Sequence, residues 1–274
     1  MTRGAYLGML AITAVMVLGL SLLYGPVDGE VDRSGRMLWR LPFADGPWSY
    51  WWHHAFVVIP VAALSFEHRI RYFSRWKQVL LASLAPAAIY IGWDILFTAN
   101  GIWDFDDAKT AGQRLLGLPV EEWLWFFTIP FAVIFIHENL RYYMPVDKLL
   151  PRQSFFAKAL IVGLAAVAVW NYDRLYTVLA FGSAAALLLA DLRWGDAATR
   201  SRFLGMYIVS LVPMLIFNGW LTGMFSTTPL VSYHAGSHLG LRVGTMPVED
   251  ISFGLGYLLL VIRGYQQIVD KNPV

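Results

Sequence analysis

The chain has 274 residues, of which 57% are apolar and only 15% charged, with a mean hydropathy of +0.52; this excludes an ordinary soluble domain and points to a multi-pass membrane protein. A net charge of +2 is too small to argue for a nucleic-acid partner. The absence of cysteine excludes a disulfide, a thiolate nucleophile, an iron–sulfur cluster and cysteine-ligated zinc.

Apolar runs long enough to span, or nearly so, are predicted at 4–24, 50–66, 79–98, 120–137, 155–170, 174–190, 203–223 and 248–263. The first follows Arg3, is longer than the core of a signal peptide and ends in Leu23-Tyr24-Gly25-Pro26 without a small-residue cleavage pattern, so it reads as an uncleaved anchor. Residues 27–48 read as a polar connection, and the runs at 50–66 and 155–170 are the shortest, with polar residues at an edge. With eight spans, Lys and Arg fall two to one on the side that holds both termini, which predicts a cell-membrane protein with both ends cytoplasmic. The basic loop Arg141 to Lys158 divides the spans four and four. Because each half has an even number of spans, the halves run in the same direction, as parallel repeats. The expected units are an anchor and outer connection over 1–49, a first repeat over 50–145 and a second over 146–274.

One tetrad closes each half: Pro119-Val120-Glu121-Glu122 and Pro247-Val248-Glu249-Asp250, each directly before a long apolar run. Proline suits a helix start, so the acids fall in the first turn, where free N–H groups and the helix dipole favour a carboxylate. A pair of simple helix caps would explain one copy. Two copies in the same order, 128 residues apart, point to a site at one depth between the halves. The spans before the tetrads match as well, Trp93-Asp94-Ile95-Leu96-Phe97-Thr98 against Phe217-Asn218-Gly219-Trp220-Leu221-Thr222, with Asp94 opposite Asn218. An aspartate inside an apolar run is a functional candidate, whereas an asparagine there more often bonds a neighbouring helix.

Other polar clusters carry less. Asp104-Phe105-Asp106-Asp107 spells D-x-D-D, but it lies in an outer loop and reads as solvated. The six histidines form no H-x-x-H or H-x-x-x-H set, which disfavours a di-iron oxygenase. Gly254-Leu255-Gly256 lacks the third glycine and the preceding strand of a dinucleotide fingerprint, so a flavin is not expected through that route.

The run Ser65-Phe66-Glu67-His68-Arg69-Ile70-Arg71-Tyr72, the matched spans, Gly101-Ile102-Trp103, Leu118 to Leu124 and Gly240 to Asp250 together resemble the integral-membrane lycopene cyclases, over residues 50–265. That family includes the bacterial and archaeal enzymes made as two subunits or one fused chain, and the N-terminal domain of the fungal bifunctional cyclase and phytoene synthase. Residues 1–49 carry none of the resemblance. It implies an all-α membrane bundle similar to the UbiA-type prenyltransferases, and a lycopene β-cyclase. Such an enzyme is an isomerase that folds the ψ end of lycopene, or of another acyclic carotenoid in the bilayer, into a β-ionone ring with no cofactor and no metal. A homodimer, or contact with other enzymes of carotenoid synthesis, is compatible with it. The resemblance also implies that the tetrad acids Glu121, Glu122, Glu249 and Asp250 are catalytic.

Cyclisation needs a proton delivered to an alkene and a proton removed, and burial or a neighbouring carboxylate holds an acid neutral until it acts. Adjacent acids on a helix diverge by about 100°, so Glu121 and Glu249 are expected to face the cavity as acid and base, in either order, with Asp94 as a further acid. Glu122 and Asp250 are expected in support, by hydrogen bonding or through Arg242. Trp93, Phe97, Trp123 and Trp220 are the expected aromatic liners, able to stabilise a cation through their π faces, with Asn218 beside them. A UbiA-type transferase would need two aspartate-rich Mg²⁺ motifs that the chain lacks, and a small carrier with paired acids would favour mid-span breaks, of which Pro86, Pro130 and Pro213 are candidates.

Overall fold

The computed structural model describes residues 1–23, 27, 31–33, 36–144 and 152–271. Tyr24 to Pro26, at the expected end of the first run, and Lys148, in the basic loop, lie outside the described residues. The chain is an all-α polytopic membrane bundle. Its helices are α1 (Arg3–Leu23), α2 (Ser49–Leu64), α3 (Trp76–Ala99), α4 (Val120–Tyr143), α5 (Gln153–Trp170), α6 (Leu175–Trp194), α7 (Ala197–Leu221) and α8 (Val248–Lys271). Among the described residues six of these, α1 and α3 to α7, are long and apolar enough to cross a membrane.

Each predicted run became a helix, and the differences lie at the ends. Hydropathy stops at the first charge, whereas the helix continues when that charge finds a partner. Thus α4 continues past His137 with Glu138 buried and paired with Arg141 at 3.5 Å. Likewise α8 continues past Arg263, whose guanidinium meets Asp191 at 2.5 Å and Asp196 at 2.7 Å, while Arg200 holds the other Asp191 oxygen at 2.7 Å. Three helices are joined there by charges that would be costly if unpaired. Asp196 also caps α7 by accepting the Thr199 N–H, which starts that helix six residues before the apolar run.

The two acid helices are entered in the same way. A two-residue hairpin, β3 (Arg114–Leu115) with β4 (Leu118–Pro119), leads into α4, and β6 (Arg242–Val243) with β7 (Met246–Pro247) leads into α8. The loops before these hairpins also pair with each other: β2 (Trp103–Phe105) lies antiparallel to β5 (Val231–His234), with Trp103 opposite Tyr233. At the far edge of β5 is β1 (Val31–Asp32), giving the order β1-β5-β2. This small sheet roofs one end of the bundle.

Residues 36–48, expected as a plain connection, brace that roof. The Leu38 and Leu41 N–H groups donate to the Met224 and Phe225 carbonyls, and Asp45 accepts from the Thr227 N–H and hydroxyl at 2.8 Å each and from Lys109 at 3.4 Å. Burial works to raise the Asp45 pKa, but the Thr227, Arg40 and Lys109 contacts outweigh it and hold the carboxyl below its ordinary range.

Candidate active site

The first acid of each tetrad is an anchor. Glu121 is fully buried and accepts the Ala111 N–H at 2.7 Å; Glu249 is fully buried and accepts the Leu239 N–H at 2.7 Å and the Thr177 hydroxyl at 2.8 Å. In both copies the donor stands ten residues before the acid and is followed by a glycine in the left-handed region, Gly112 at φ 77° and Gly240 at φ 73°. That backbone conformation turns the loop so that its amide meets the carboxylate, and a side chain there would be strained. Neither Glu121 nor Glu249 belongs to the cavity wall. The expectation that they face the cavity is therefore corrected: the loop amides take one oxygen of each and turn the pair inward, and the 100° step then swings the next residue toward the space between the helices.

That next residue is Glu122 in one half and Asp250 in the other, and both line a cavity of ≈ 330 Å³ between α2, α4, α7 and α8. Asp94, from α3, joins them. Glu122 accepts the Tyr50 hydroxyl at 2.5 Å and stands with Asp94 in the same stretch of wall. Asp94 Oδ1 accepts the Trp103 indole N–H at 2.7 Å and, at 3.5 Å, the Thr98 hydroxyl. On the other side Asp250 accepts three donors: the Tyr176 hydroxyl at 2.5 Å, the Asn218 amide at 2.6 Å and the Tyr233 hydroxyl at 2.9 Å. Tyr50 and Tyr176 stand near the starts of α2 and α6, and the Asp94 and Asn218 positions match, so the two clusters are two versions of one arrangement.

From these acids the wall runs down α4 to Ile136, fourteen residues beyond Glu122, a depth of about 21 Å at 1.5 Å per helical residue. Below the acids the wall is almost wholly apolar, and among the described residues no Lys or Arg is part of it. Aromatic rings crowd the acid end. Tyr176 and Tyr233 stack at 5.9 Å, Trp103 meets Tyr176 edge-on at 5.2 Å, and Phe253 lies 6.3 Å from Trp103. The arrangement provides carboxyl groups to give and take protons, π faces to meet a positive charge, and an apolar trough for a hydrocarbon.

The expected aromatic liners are displaced by one layer. Trp93 and Phe97 are fully buried behind the wall, where they pack on the lining rings of Phe253 and Trp103, each at 4.8 Å. Trp123 donates its indole N–H to the Leu115 carbonyl at 3.2 Å, pinning the β3–β4 hairpin, and Trp220 donates to the Ser49 hydroxyl at 3.0 Å, at the start of α2. Arg242 makes no direct contact with either cavity acid; it donates to the Thr245 carbonyl at 2.6 Å and sits 5.7 Å over the ring of Tyr233, which in turn donates to Asp250. Asp94 and Asn218 do stand in the wall. The D-x-D-D aspartates serve the loop: Asp104 pairs with Arg33, Asp106 accepts the Ala108 N–H and Asp107 pairs with Arg114.

Tyr50, Trp103, Tyr176 and Tyr233 went unnamed as site residues from sequence. A signal existed for Trp103, inside the Gly101-Ile102-Trp103 stretch, and for the paired tyrosines near the starts of α2 and α6. None existed for Tyr233, which reaches the acids only because β5 pairs with β2.

No curated protein and no solved structure matches the chain. A family model described as lycopene cyclase matches residues 47–140 and 173–268, that is α2 to α4 and α6 to α8, with α1 and α5 left outside the repeated unit. With two matched segments that together cover more than half of its length, each holding one cluster of the cavity's acids, the chain belongs to the lycopene cyclase family.

Proposed function

We propose that the protein is a lycopene β-cyclase of the intramolecular-lyase class, that Glu122 with Asp94 supplies the proton, and that Asp250 removes one. The observation that carries this reading is the meeting of Glu122, Asp94 and Asp250 at the closed end of an otherwise apolar cavity in a chain of this family. Two neighbouring carboxyls in a largely apolar wall do not both ionise readily, so the Asp94–Glu122 pair suits a store for one acidic hydrogen. Asp250 has both oxygens occupied by donors, three in all, and its neighbour at the matching position is an amide, Asn218, in place of a second carboxyl. The pair therefore suits the general acid, and Asp250 the general base.

The reaction balances without an outside reagent. The pair adds a proton at C2 of the terminal C1=C2 alkene, leaving a tertiary cation at C1. The C5=C6 π electrons close the C1–C6 bond and move the positive charge to C5, over the faces of Trp103, Tyr176, Tyr233 and Phe253. Asp250 takes the proton from C6, and the new C5=C6 double bond completes the β ring. Proton transfer from Asp250 back to the Asp94–Glu122 pair restores the enzyme, and no atom is gained or lost. A prenyl transferase reading is less supported, since a diphosphate would meet a wall that holds three carboxyls and, among the described residues, no Lys or Arg. The Lys and Arg distribution favours a chain with both termini in the cytoplasm, which would put the acid end toward the outer face of the cell membrane.

The test is expression in a lycopene-accumulating host, with pigments separated by chromatography, beside Glu122→Gln and Asp250→Asn. Conversion of lycopene to monocyclic or bicyclic carotenoid, lost in both variants at normal membrane levels of protein, supports the reading. Unchanged lycopene with intact wild-type protein would sink it.

A further inference from the structure

Two gaps related by the internal repeat flank the bundle, and they differ. One lies between α2 and α7. There Phe56 and Pro60 belong to the cavity wall and are also exposed on the outside of the bundle, Phe56 to 46%. Pro213 and Phe217 continue the wall on α7 and are half-buried.

The repeat-related gap lies between α6 and α3, and α1 sits in it. A methyl group built on Gly92 of α3 would stand 3.1 Å from Leu18 Cδ2, and one on Gly182 of α6 would stand 3.7 Å from Met16 Cε. Behind α1 the interior is filled. Tyr90 and Trp93, four residues and one residue before Asp94, are fully buried and pack on Phe253 at 4.9 and 4.8 Å. At the matching places before Asn218, Met214 and Phe217 line open cavity instead.

We propose that the acyclic carotenoid end enters sideways from the bilayer through a single mouth between α2 and α7, and that α1 is a plug over the repeat-related counterpart of that mouth. This rests on the cyclase reading above. A polyene dissolved in hydrocarbon reaches the acids by this path without meeting water, whereas the opposite approach is covered by the β1-β5-β2 roof and its polar contacts. The mouth is also where two helices are locally weakened. Pro60 in α2 and Pro213 in α7 each lack an N–H, which leaves the carbonyls of Phe56 and Val209, four residues earlier, without their helical donor. Pro86 leaves a similar missing rung in α3 beside the plugged gap, so it is the open wall, not the prolines, that sets the mouth apart. A single mouth admits one end of the polyene at a time, and α1, outside the matched family segments, makes a two-fold frame one-sided.

The chain has no cysteine, so a single introduced one can be modified cleanly. Phe56→Cys is placed in the mouth, and Val15→Cys on the lipid-facing side of α1, where that residue is 72% exposed. Each variant in membranes is assayed for lycopene cyclisation before and after complete reaction with pyrenyl maleimide, serving as its own reference. Modification at position 56 is expected to lower the rate more than tenfold, and modification at 15 to leave it within twofold. If modified Phe56→Cys cyclises as fast as unmodified, or if modification at 15 blocks equally, the proposal is overturned. Should Phe56→Cys be inactive before modification, Val61→Cys, in the same wall, carries the same test with the same two outcomes. Failure of the wild-type chain to cyclise lycopene at all would instead overturn the cyclase reading.

Discussion

The two halves present the same frame with two exchanges at its centre, Asp94 for Asn218 and Glu122 for Asp250. In the first, Glu122 stands beside a second acid, Asp94; in the second, Asp250 stands beside Asn218. Both receive a tyrosine hydroxyl from the helix that begins their repeat, at 2.5 Å, and both lie next to a glutamate that fastens the preceding loop. An amide donates its own N–H and holds no exchangeable acid proton, while a carboxyl beside a carboxyl must share one. On the reading proposed above, the exchange of Asp94 for Asn218 divides a duplicated frame into a half that stores a proton between two carboxyls and a half whose one cavity carboxyl receives it.

That comparison can be broken most directly at the acids. Asp94→Asn gives the first half the partner found in the second, and it is expected to slow cyclisation by about 10²- to 10⁴-fold, as is Glu122→Gln, the range for losing a general acid. Pigment analysis at matched protein levels measures this, and a rate within tenfold of wild type would remove the pair from the chemistry. Next come the anchors. Glu121→Ala and Glu249→Ala leave a half-buried loop N–H without its acceptor, at a cost of about 1 kcal/mol or more, and should lower thermal stability in detergent. Glutamine at either place keeps an acceptor oxygen, so Glu121→Gln and Glu249→Gln should retain most activity. Glutamine variants that are stable but as inactive as Glu122→Gln would return these two acids to catalysis.

The roof sharpens the comparison at smaller scale. Trp103→Phe removes the shorter of two neutral donors to Asp94, and Tyr233→Phe removes one of three donors to Asp250. A hydrogen bond is worth about 0.5–1.5 kcal/mol net, so a loss of up to about tenfold is expected in initial rates at Trp103, whose bond is the shorter of two, and about threefold at Tyr233, one donor of three. No loss in Tyr233→Phe, which keeps its ring, would mean that the ring and not its hydroxyl matters there. Smallest is the hairpin turn: Leu116 sits at φ 52° where the second half has Gly244 at φ 63°. Leu116→Gly should raise thermal stability by up to about 1 kcal/mol, because a non-glycine residue is strained in that region.

Much of this frame was legible in the sequence, because hydropathy, proline placement and a duplicated tetrad are local signals. Eight apolar runs became eight helices, and the tetrads did open the last helix of each half. The facing of the acids was not legible. The 100° step between neighbours says that Glu121 and Glu122 diverge, but only the amides of Ala111 and Leu239 decide which one turns inward. The lining rings were missed for a similar reason. Tyr233 meets Trp103 through strand pairing between residues far apart in the chain, and composition carries no record of that pairing. Helix ends were misjudged where a charge such as Arg263 was paired rather than solvated.

The division of labour is tested most directly by the ring that each weakened enzyme makes. If Asp250 is the base, the residual product of Asp250→Asn should carry displaced double bonds, because the C5 cation, denied its acceptor at C6, loses a proton from C4 or from the attached methyl group. Residual product from Asp94→Asn and Glu122→Gln should be β ring alone, formed slowly. Displaced double bonds from Glu122→Gln, with only β ring from Asp250→Asn, would contradict the assignment and exchange the roles of the two halves.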